Sequence, residues 1–332
     1  IKGVINMNNF KKIGVSALAG SLMAVTANAG EMSVAGTAKI AIEHINGGAA
    51  NAGKSFSMGN QLTFSGSGEL DNGMNVSLSF IIDQGDDTKT TANSATSVSG
   101  SNAPFDSHSV SVGMDGLGTL KFSGEGGDAA INAMDASAAG GMWDNFQAAA
   151  DEPKAGKSSN DMMLYTLPTI VDSLALAASY TPAGDGGQAS STSYSATYTG
   201  VEGLTLAYGA GEDNTTTTSA DATAWKISYA YGPVTVTATD LEYDHDTDGS
   251  DRDMESYAIA YTVNDEISIG YGQEELTDGT GAEDAEFSGF DISYTTGGMT
   301  LKAYAQEGDN IDYSTTATKD QEVWAINATF AF

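Results

Sequence analysis

The sequence predicts a single transmembrane antiparallel β-barrel of about 16 strands. Three observations favour this fold class. Apolar and polar residues alternate in segments along the whole chain, the connections between segments alternate between short and long, and the last ten residues form an amphipathic strand. Because strand side chains point alternately to two faces, one face of this last strand carries Trp324, Ile326, Ala328, Phe330 and Phe332. Such a face is typical of barrels that contact lipid, although a strand packed on a soluble core is the alternative for this segment alone.

The alternating segments each span about 9–11 residues, the length that a tilted strand needs to cross a bilayer. In residues 31–44, Met32, Val34 and Ile40 alternate with polar residues such as Ser33 and Lys39. The pattern continues in later segments, whose apolar residues include Phe56, Met58, Leu62, Phe64, Val76, Leu78, Phe80, Tyr194, Tyr198, Leu204, Leu206, Trp225, Ile227, Tyr257, Ile259, Ile267, Ile269, Phe290, Ile292 and Leu301. The final segment is expected to pair with residues 31–44 and close the barrel.

The connections carry a second signal, because tight turns and longer loops alternate along the chain. Short connections rich in turn residues fall at 71–73, 116–117, 168–172, 200–203, 232–233, 264–265 and 296–297. Long connections fall near 45–54, 84–105, 127–160, 183–190, 212–221, 244–252, 274–285 and 308–320. Seven turns and eight loops predict 16 strands with both termini on the same side. Short periplasmic turns and long extracellular loops are typical of membrane-spanning barrels.

The second face of the segments is rich in Ser, Thr, Gly, Asn and Gln. A polar inner face beneath an apolar outer band indicates a water-filled interior, which a barrel of 16 strands is wide enough to hold. Tyrosines near segment ends fit the interfacial girdles, where a ring is half apolar and half hydrated: Tyr180, Tyr208, Tyr229, Tyr261, Tyr271 and Tyr294.

The N-terminal part predicts export. After Met7 come Lys11 and Lys12, an apolar run over residues 13–25, and a small-residue cleavage site in which Ala27 and Ala29 occupy the recognition positions. We therefore expect residues 1–29 to comprise six upstream residues and a signal peptide over 7–29, and residues 30–332 to form the barrel domain.

Composition excludes several classes of protein. The full chain carries a formal charge of −31, and removal of the leader's Lys2, Lys11 and Lys12 makes it −34. Such a charge disfavours nucleic acid as a partner. The chain has no cysteine and therefore no disulfide framework. The three histidines lie in no local nucleophile, zinc or acid–base signature, so the sequence does not predict an enzyme or a required cofactor.

The leader, the pattern of strands and connections, the long third loop and the terminal Phe332 together resemble the Gram-negative general porins, in the style of the trimeric alphaproteobacterial ones. The resemblance covers residues 30–332. It implies a homotrimer, passive diffusion of small hydrophilic solutes, and a third loop that folds into the lumen as a constriction. Ending on Phe332 also resembles the signal that the barrel-assembly machinery reads. Partners implied are outer-membrane lipid and lipopolysaccharide.

The resemblance assigns the constriction to the loop over residues 126–160, which carries five carboxylates: Asp128, Asp135, Asp144, Asp151 and Glu152. Family members commonly oppose such acids with arginines on the barrel wall. This chain departs from that pattern, since its single arginine, Arg252, lies in a predicted extracellular loop. The predicted lumen-facing cations are Lys39, Lys121, Lys226 and Lys302, and the loop itself adds Lys154 and Lys157.

One further motif has the spacing of a twelve-residue calcium loop. Asp244, Asp246, Asp248 and Glu255 would supply side-chain oxygens and Ser250 a backbone carbonyl, while Gly249 permits the turn. The flanking residues predict strands instead of the usual helices, and Arg252 lies within the motif. A solvated acidic loop is the alternative to a Ca²⁺ site.

The sequence therefore predicts an outer-membrane porin that gives weakly cation-selective passive diffusion, because a negative mouth concentrates cations. Two alternatives stay open at this point. One is a barrel channel dedicated to a single solute class, and the other is a secreted, acidic, calcium-binding β-rich surface protein.

Overall fold

The structure, a computed structural model, describes residues 32–47, 53–83, 106–131, 137–146, 160–184, 189–247, 249–315 and 320–332. Sixteen strands form one closed antiparallel barrel, which confirms the predicted fold class. The strands are β1 Met32–Gly47, β2 Gly53–Glu69, β3 Asn75–Asp83, β4 Ser107–Met114, β5 Gly118–Glu125, β6 Met162–Thr166, β7 Leu174–Thr181, β8 Ser191–Val201, β9 Leu204–Glu212, β10 Ala220–Tyr231, β11 Val234–His245, β12 Arg252–Thr262, β13 Ile267–Asp278, β14 Ala285–Thr296, β15 Met299–Asp309 and β16 Gln321–Ala331. The predicted leader lies outside the described residues.

The barrel closes between its first and last strands, as the sequence predicts. β1 pairs with β16 from Thr37 opposite Ala331 to Gly47 opposite Gln321, so neither strand leaves an open edge. Beyond β16, the Phe332 amide donates to the Gly36 carbonyl at 2.9 Å, and the Gly36 amide donates to the Phe332 carbonyl at 2.7 Å. A Cβ at Gly36 would lie 2.5 Å from the Phe332 ring, so glycine is what allows this aromatic side chain to pack at the seam.

The outer face of the barrel carries the apolar residues that the alternation assigns to lipid. On β12, Tyr257, Ile259 and Tyr261 are exposed, whereas Met254 and Ser256 on the opposite face are buried. The Tyr257 hydroxyl donates to Glu255 Oε2 at 2.9 Å, which places an outward carboxylate directly above the apolar band. Tyr257 and Tyr261 therefore lie at the two ends of the apolar segment of β12, where an amphipathic ring is favoured.

The fifteen connections fall near the predicted positions, but their lengths alternate less clearly than predicted, because the short one predicted at 168–172 comprises the seven residues 167–173 and several long ones are shorter than expected. β13 continues to Asp278, so the connection to β14 comprises residues 279–284 instead of 274–285. β11 reaches His245, and the next connection comprises only residues 246–251. The strands are also less uniform than the predicted 9–11 residues, because β2 has 17 residues and β6 only 5. Among the described residues, no helix is both long and apolar enough to cross a membrane.

The interior is less uniformly polar than the sequence pattern predicts. At the loop end of the barrel, inward side chains such as Leu241, Met254 and Leu276 form a buried apolar cluster. The cluster also includes Met142 and Trp143 from the connection between β5 and β6. We call this connection the third loop (residues 126–161). Inward apolar residues are stable there because the described parts of the loop, residues 126–131 and 137–146, cover them from inside the barrel.

Candidate pore constriction

The third loop enters the barrel and follows its inner wall. At its base, the Gly126 amide donates to Asn160 Oδ1 at 3.2 Å, so the two ends of the loop are joined. The loop then reaches β7 and β8, where the Ala130 amide donates to Ser179 Oγ at 2.9 Å and the Ile131 amide to Ser193 Oγ at 3.4 Å. Small hydroxyl side chains on the inner face therefore serve as acceptors for loop backbone.

The same arrangement recurs across the barrel, on β11 and β12. The Ala138 amide donates to Thr239 Oγ1 at 3.0 Å, and the Ala139 amide donates to Ser256 Oγ at 2.9 Å. Thr239 and Ser256 are both fully buried beneath the loop. Because a buried backbone amide without a partner is costly, these hydroxyls favour docking of the loop over an open lumen.

On β13 the acceptor is a carboxylate. Glu274 accepts hydrogen bonds from the Gly141 amide at 2.9 Å, from the Met142 amide at 2.5 Å and from the Ser137 hydroxyl. Only 2% of the residue is exposed. Sequence reasoning missed this residue because it assigned position 274 to a loop. The alternation of Gly270, Gly272, Glu274 and Leu276 on one face was the signal that the strand continues.

The loop ends its path against β14 and β15. A 3₁₀ helix, Met142–Asn145, packs Trp143 into the interior, and the Phe146 ring lies 5.3 Å from that of Phe287. The Asn145 side chain donates to Gln306 Oε1 at 3.0 Å and accepts from the Tyr304 hydroxyl at 3.2 Å. The loop thus contacts inward residues from β7 to β15 and narrows the lumen.

The structure places part of the predicted acidic set in this constriction. Asp128 and Asp144 lie on the loop and are exposed. Asp135, Asp151 and Glu152, together with the loop's Lys154 and Lys157, lie outside the described residues. The barrel wall adds two carboxylates that the sequence pattern does not single out, Glu43 on β1 and Asp291 on β14. Glu43 and the loop's Asp144 both lie near the Tyr304 hydroxyl.

The four predicted wall lysines lie on the inner face, on four different strands. Lys39 lies opposite Thr329, Lys121 opposite Leu164, Lys226 opposite Thr239, and Lys302 opposite Asn327. Lys302 Nζ is 3.9 Å from Asp291 Oδ2, so one cation is partly balanced by a wall carboxylate. The structure does not bring the lysines together as a cationic cluster opposite the loop.

The calcium-spacing motif forms part of a β-hairpin at the barrel rim. Asp244 is the second-last residue of β11. Glu255 lies within β12 opposite Asp240, where it accepts a hydrogen bond from the Tyr257 hydroxyl. The Asp246 carboxylate accepts from the Ser219 amide at 2.9 Å, and the motif's Arg252 is paired with Asp278 at 3.1 Å. Ser250 lies in the connection, and its amide donates to Thr247.

Among the described residues, no group of three or more His, Asp or Glu side chains is arranged to hold a metal ion. Asp248 lies outside the described residues. The Ca²⁺ assignment to Asp244, Asp246, Asp248, Ser250 and Glu255 therefore stays a prediction.

Comparison with known proteins agrees with this architecture. A family model described as Gram-negative porin matches residues 14–292. The anion-selective porin from Comamonas acidovorans superposes with a TM-score of 0.65 at 13% identity, over 91% of this chain and 99% of that one. The in-vitro folded trimer form of OmpT from Vibrio cholerae gives 0.61 at 14% identity, over 92% and 100%.

A variant of the porin from Rhodobacter blastica gives a TM-score of 0.63 at 13% identity, over 91% of this chain and 100% of that chain. No curated protein matches the chain. At these identities the solved structures establish the fold alone, and the family match establishes the class of protein.

Proposed function

The chain belongs to the Gram-negative porin family, and from this premise we propose that it gives passive, weakly cation-selective diffusion of ions and small hydrophilic solutes across the outer membrane. The observation that carries the proposal is the third loop, which narrows a polar lumen and exposes Asp128 and Asp144 there. No covalent step is involved. Pore width and lining charge set which solutes pass.

Charge supports a preference for cations. The chain carries 44 acidic and 13 basic residues, with a single arginine, and that arginine is paired with Asp278 at the loop end of the barrel. Inside the barrel, the third loop carries the exposed Asp128 and Asp144, whereas the four wall lysines are dispersed over separate strands. A narrow, low-dielectric passage with a negative lining concentrates cations within it.

The reversal potential in a KCl gradient across a planar bilayer tests this proposal. We expect a potential of the sign set by K⁺, with a preference that weakens toward 1 M salt, where the screening length falls to about 3 Å. Asp144→Asn should reduce the preference, whereas Asp244→Asn at the outer rim should leave it unchanged. Anion preference at low salt would show that the wall lysines dominate the constriction.

A channel dedicated to one solute class is the alternative within the same family. It would give saturable flux that a second solute of that class inhibits, whereas a general diffusion channel gives flux linear in concentration. Proteoliposome swelling with neutral solutes of increasing size distinguishes the two. The secreted, calcium-binding surface protein is the weaker alternative, because the chain forms a closed barrel and matches the porin family.

We propose a homotrimer in outer-membrane lipid, with lipopolysaccharide beside the extracellular rim and with Phe332 as the contact for the barrel-assembly machinery. The trimer form of a similar fold supports the first point, and the seam packing of Phe332 on Gly36 supports a role in closure. Deletion of Phe332 should lower the yield of heat-modifiable trimer far more than Phe332→Tyr does. Normal accumulation of the deletion variant would remove Phe332 from the assembly signal.

A further inference from the structure

One buried carboxyl group on the barrel wall accepts several hydrogen bonds from the third loop. Glu274 lies on the inner face of β13 and accepts three hydrogen bonds from the loop: two from consecutive amides, Gly141 and Met142, and one from the Ser137 hydroxyl. The Ser256 hydroxyl, on the neighbouring strand, lies at 3.5 Å. No Lys, Arg or His among the described residues forms an ion pair with Glu274. The hydrogen bonds to its carboxyl group therefore come mainly from the loop.

The loop backbone is shaped to meet a carboxylate. Gly140 and Gly141 have φ angles of 85° and 70°, a left-handed conformation that glycine adopts without strain. This turn directs successive amides to one side, a geometry that binds anions. No side chain caps the start of the following 3₁₀ helix, Met142–Asn145. Glu274 from the wall accepts the Met142 amide, and it shares the Gly141 amide with Ser137 Oγ, which lies 3.1 Å from that nitrogen.

The wall is equally shaped to admit the loop. Gly272 precedes Glu274 by two residues and lies on the same inner face of β13. A Cβ at Gly272 would lie 2.5 Å from Ala139 Cβ, so only glycine allows the loop backbone to come this close. Leu276, on the other side of Glu274, is fully buried in the apolar cluster. The inner face of β13 therefore provides a space, an anchor and an apolar contact in succession.

These contacts couple the loop position to one wall residue. A buried donor or acceptor that loses its hydrogen-bond partner destabilises the arrangement, because its desolvation is no longer compensated. If the loop left the wall, the Glu274 carboxylate would lose three donors at once. A docked loop also places Asp144, which lies two residues after Met142, at the lumen beside Tyr304.

We propose that Glu274 is the positioning residue that holds the third loop against the barrel wall and thereby fixes the width and charge of the constriction. This inference rests on the proposed diffusion function. Replacing the carboxyl group with an amide of the same size exchanges one acceptor oxygen for an NH₂ group that faces the loop amides. The undocked fraction of the loop should rise about tenfold for each loop amide that loses its acceptor.

Single-channel recordings of purified trimers in planar bilayers test the proposal. Glu274→Gln should show a broader conductance distribution, more frequent sub-states and higher open-channel noise than the wild type, and weaker cation preference. Glu275→Gln is the matched control, because it makes the same change one residue further along, on the outer face, and should behave as the wild type. If Glu274→Gln channels conduct as steadily as the wild type, Glu274 does not position the loop. The diffusion function would still be supported by that result, because the channels would conduct normally.

A disulfide between the loop and the barrel wall tests whether the noise expected in Glu274→Gln comes from movement of the loop. The chain has no cysteine, so Ala139→Cys/Ser256→Cys introduces a single disulfide pair at positions where the Ala139 amide lies 2.9 Å from Ser256 Oγ. In the Glu274→Gln background, the oxidised pair should restore quiet conductance, and reduction should remove it. Persistent noise in channels shown by gel shift to be oxidised would contradict the proposal.

A milder variant covers the case in which Glu274→Gln does not assemble. Ser137→Ala removes the hydroxyl that donates to Glu274 and that accepts the Gly140 and Gly141 amides, and it leaves the barrel wall intact. It should assemble as heat-modifiable trimer and show an intermediate increase in sub-states. Assembly with wild-type noise would also overturn the role proposed for Glu274.

Discussion

The third loop and the sixth loop, residues 246–251, are both acidic, yet they occupy different places in the barrel. The third loop turns inward, where Ser256 and Glu274 on the wall accept its amides. The sixth loop stays at the rim, where the Asp246 amide donates to the Ser219 carbonyl and the His245 amide donates to Asp251 Oδ1. Acidic composition therefore does not determine where a loop lies. Its position depends on the hydrogen-bond acceptors on the inner faces of the neighbouring strands.

The largest expected effect follows from removing the apolar anchor of the third loop. Trp143 is buried inside the barrel, and truncating a buried aromatic side chain typically costs about 3–5 kcal/mol. Trp143→Ala should therefore release the loop, raise single-channel conductance and expose the loop to protease, while the barrel remains heat-modifiable.

Two control variants distinguish loss of the loop anchor from a general effect of the substitution on the barrel. Trp225→Ala removes an identical side chain from the lipid-facing surface, and His245→Ala changes the end of the strand before the sixth loop. Both should retain wild-type conductance. If His245→Ala changes conductance as much as Trp143→Ala does, the two loops are not functionally distinct.

An intermediate effect is expected from closing the space in the wall. Gly272→Ala brings a methyl group to within 2.5 Å of Ala139, so the loop must shift. Gly113→Ala is the matched control, because a Cβ at this inner-wall glycine meets nothing closer than 3.7 Å. Conductance and sub-state frequency should change in the first variant and remain unchanged in the second. Identical recordings would show that the loop does not lie against Gly272.

The smallest effect is expected from calcium at the sixth loop. If the motif binds Ca²⁺, the absence of flanking helices predicts weak affinity, on the order of 10⁻⁴–10⁻³ M. Calcium should then raise the melting temperature of the trimer slightly and leave conductance intact. A chelator or Asp246→Asn should reverse that increase. Equal melting temperatures under all three conditions, with no heat of binding by calorimetry, would leave this stretch a solvated acidic loop.

The sequence predicts the barrel well, because strand alternation and turn chemistry are local properties. The pairing of β1 with β16 and the exposed face of Phe332 follow from period-two alternation alone. Lys39 and Lys302 fall on the polar side of their segments, which is the inner face of β1 and β15, and their role in the lumen stays a prediction.

The anchoring of the third loop could not be predicted in the same way, because it depends on contacts between residues far apart in sequence. Ser137 and Glu274 are 137 positions apart. A buried carboxylate near a strand end has the same local signature as a solvated one, and the acidic stretch after Gly272 was therefore assigned to a loop. The strand length at the loop end was underestimated for the same reason, since polar residues there face the rim instead of lipid.

Thiol labelling of single introduced cysteines tests most directly whether the third loop lies in the channel and the sixth loop outside it. The chain has no native cysteine, and Asp144 and Asp244 are both exposed, so Asp144→Cys and Asp244→Cys can be modified selectively. A bulky thiol reagent should reduce the current through Asp144→Cys channels and leave Asp244→Cys channels unchanged, with mass spectrometry confirming that both are labelled. An unchanged current through labelled Asp144→Cys channels, or an equal reduction in both variants, would contradict the account.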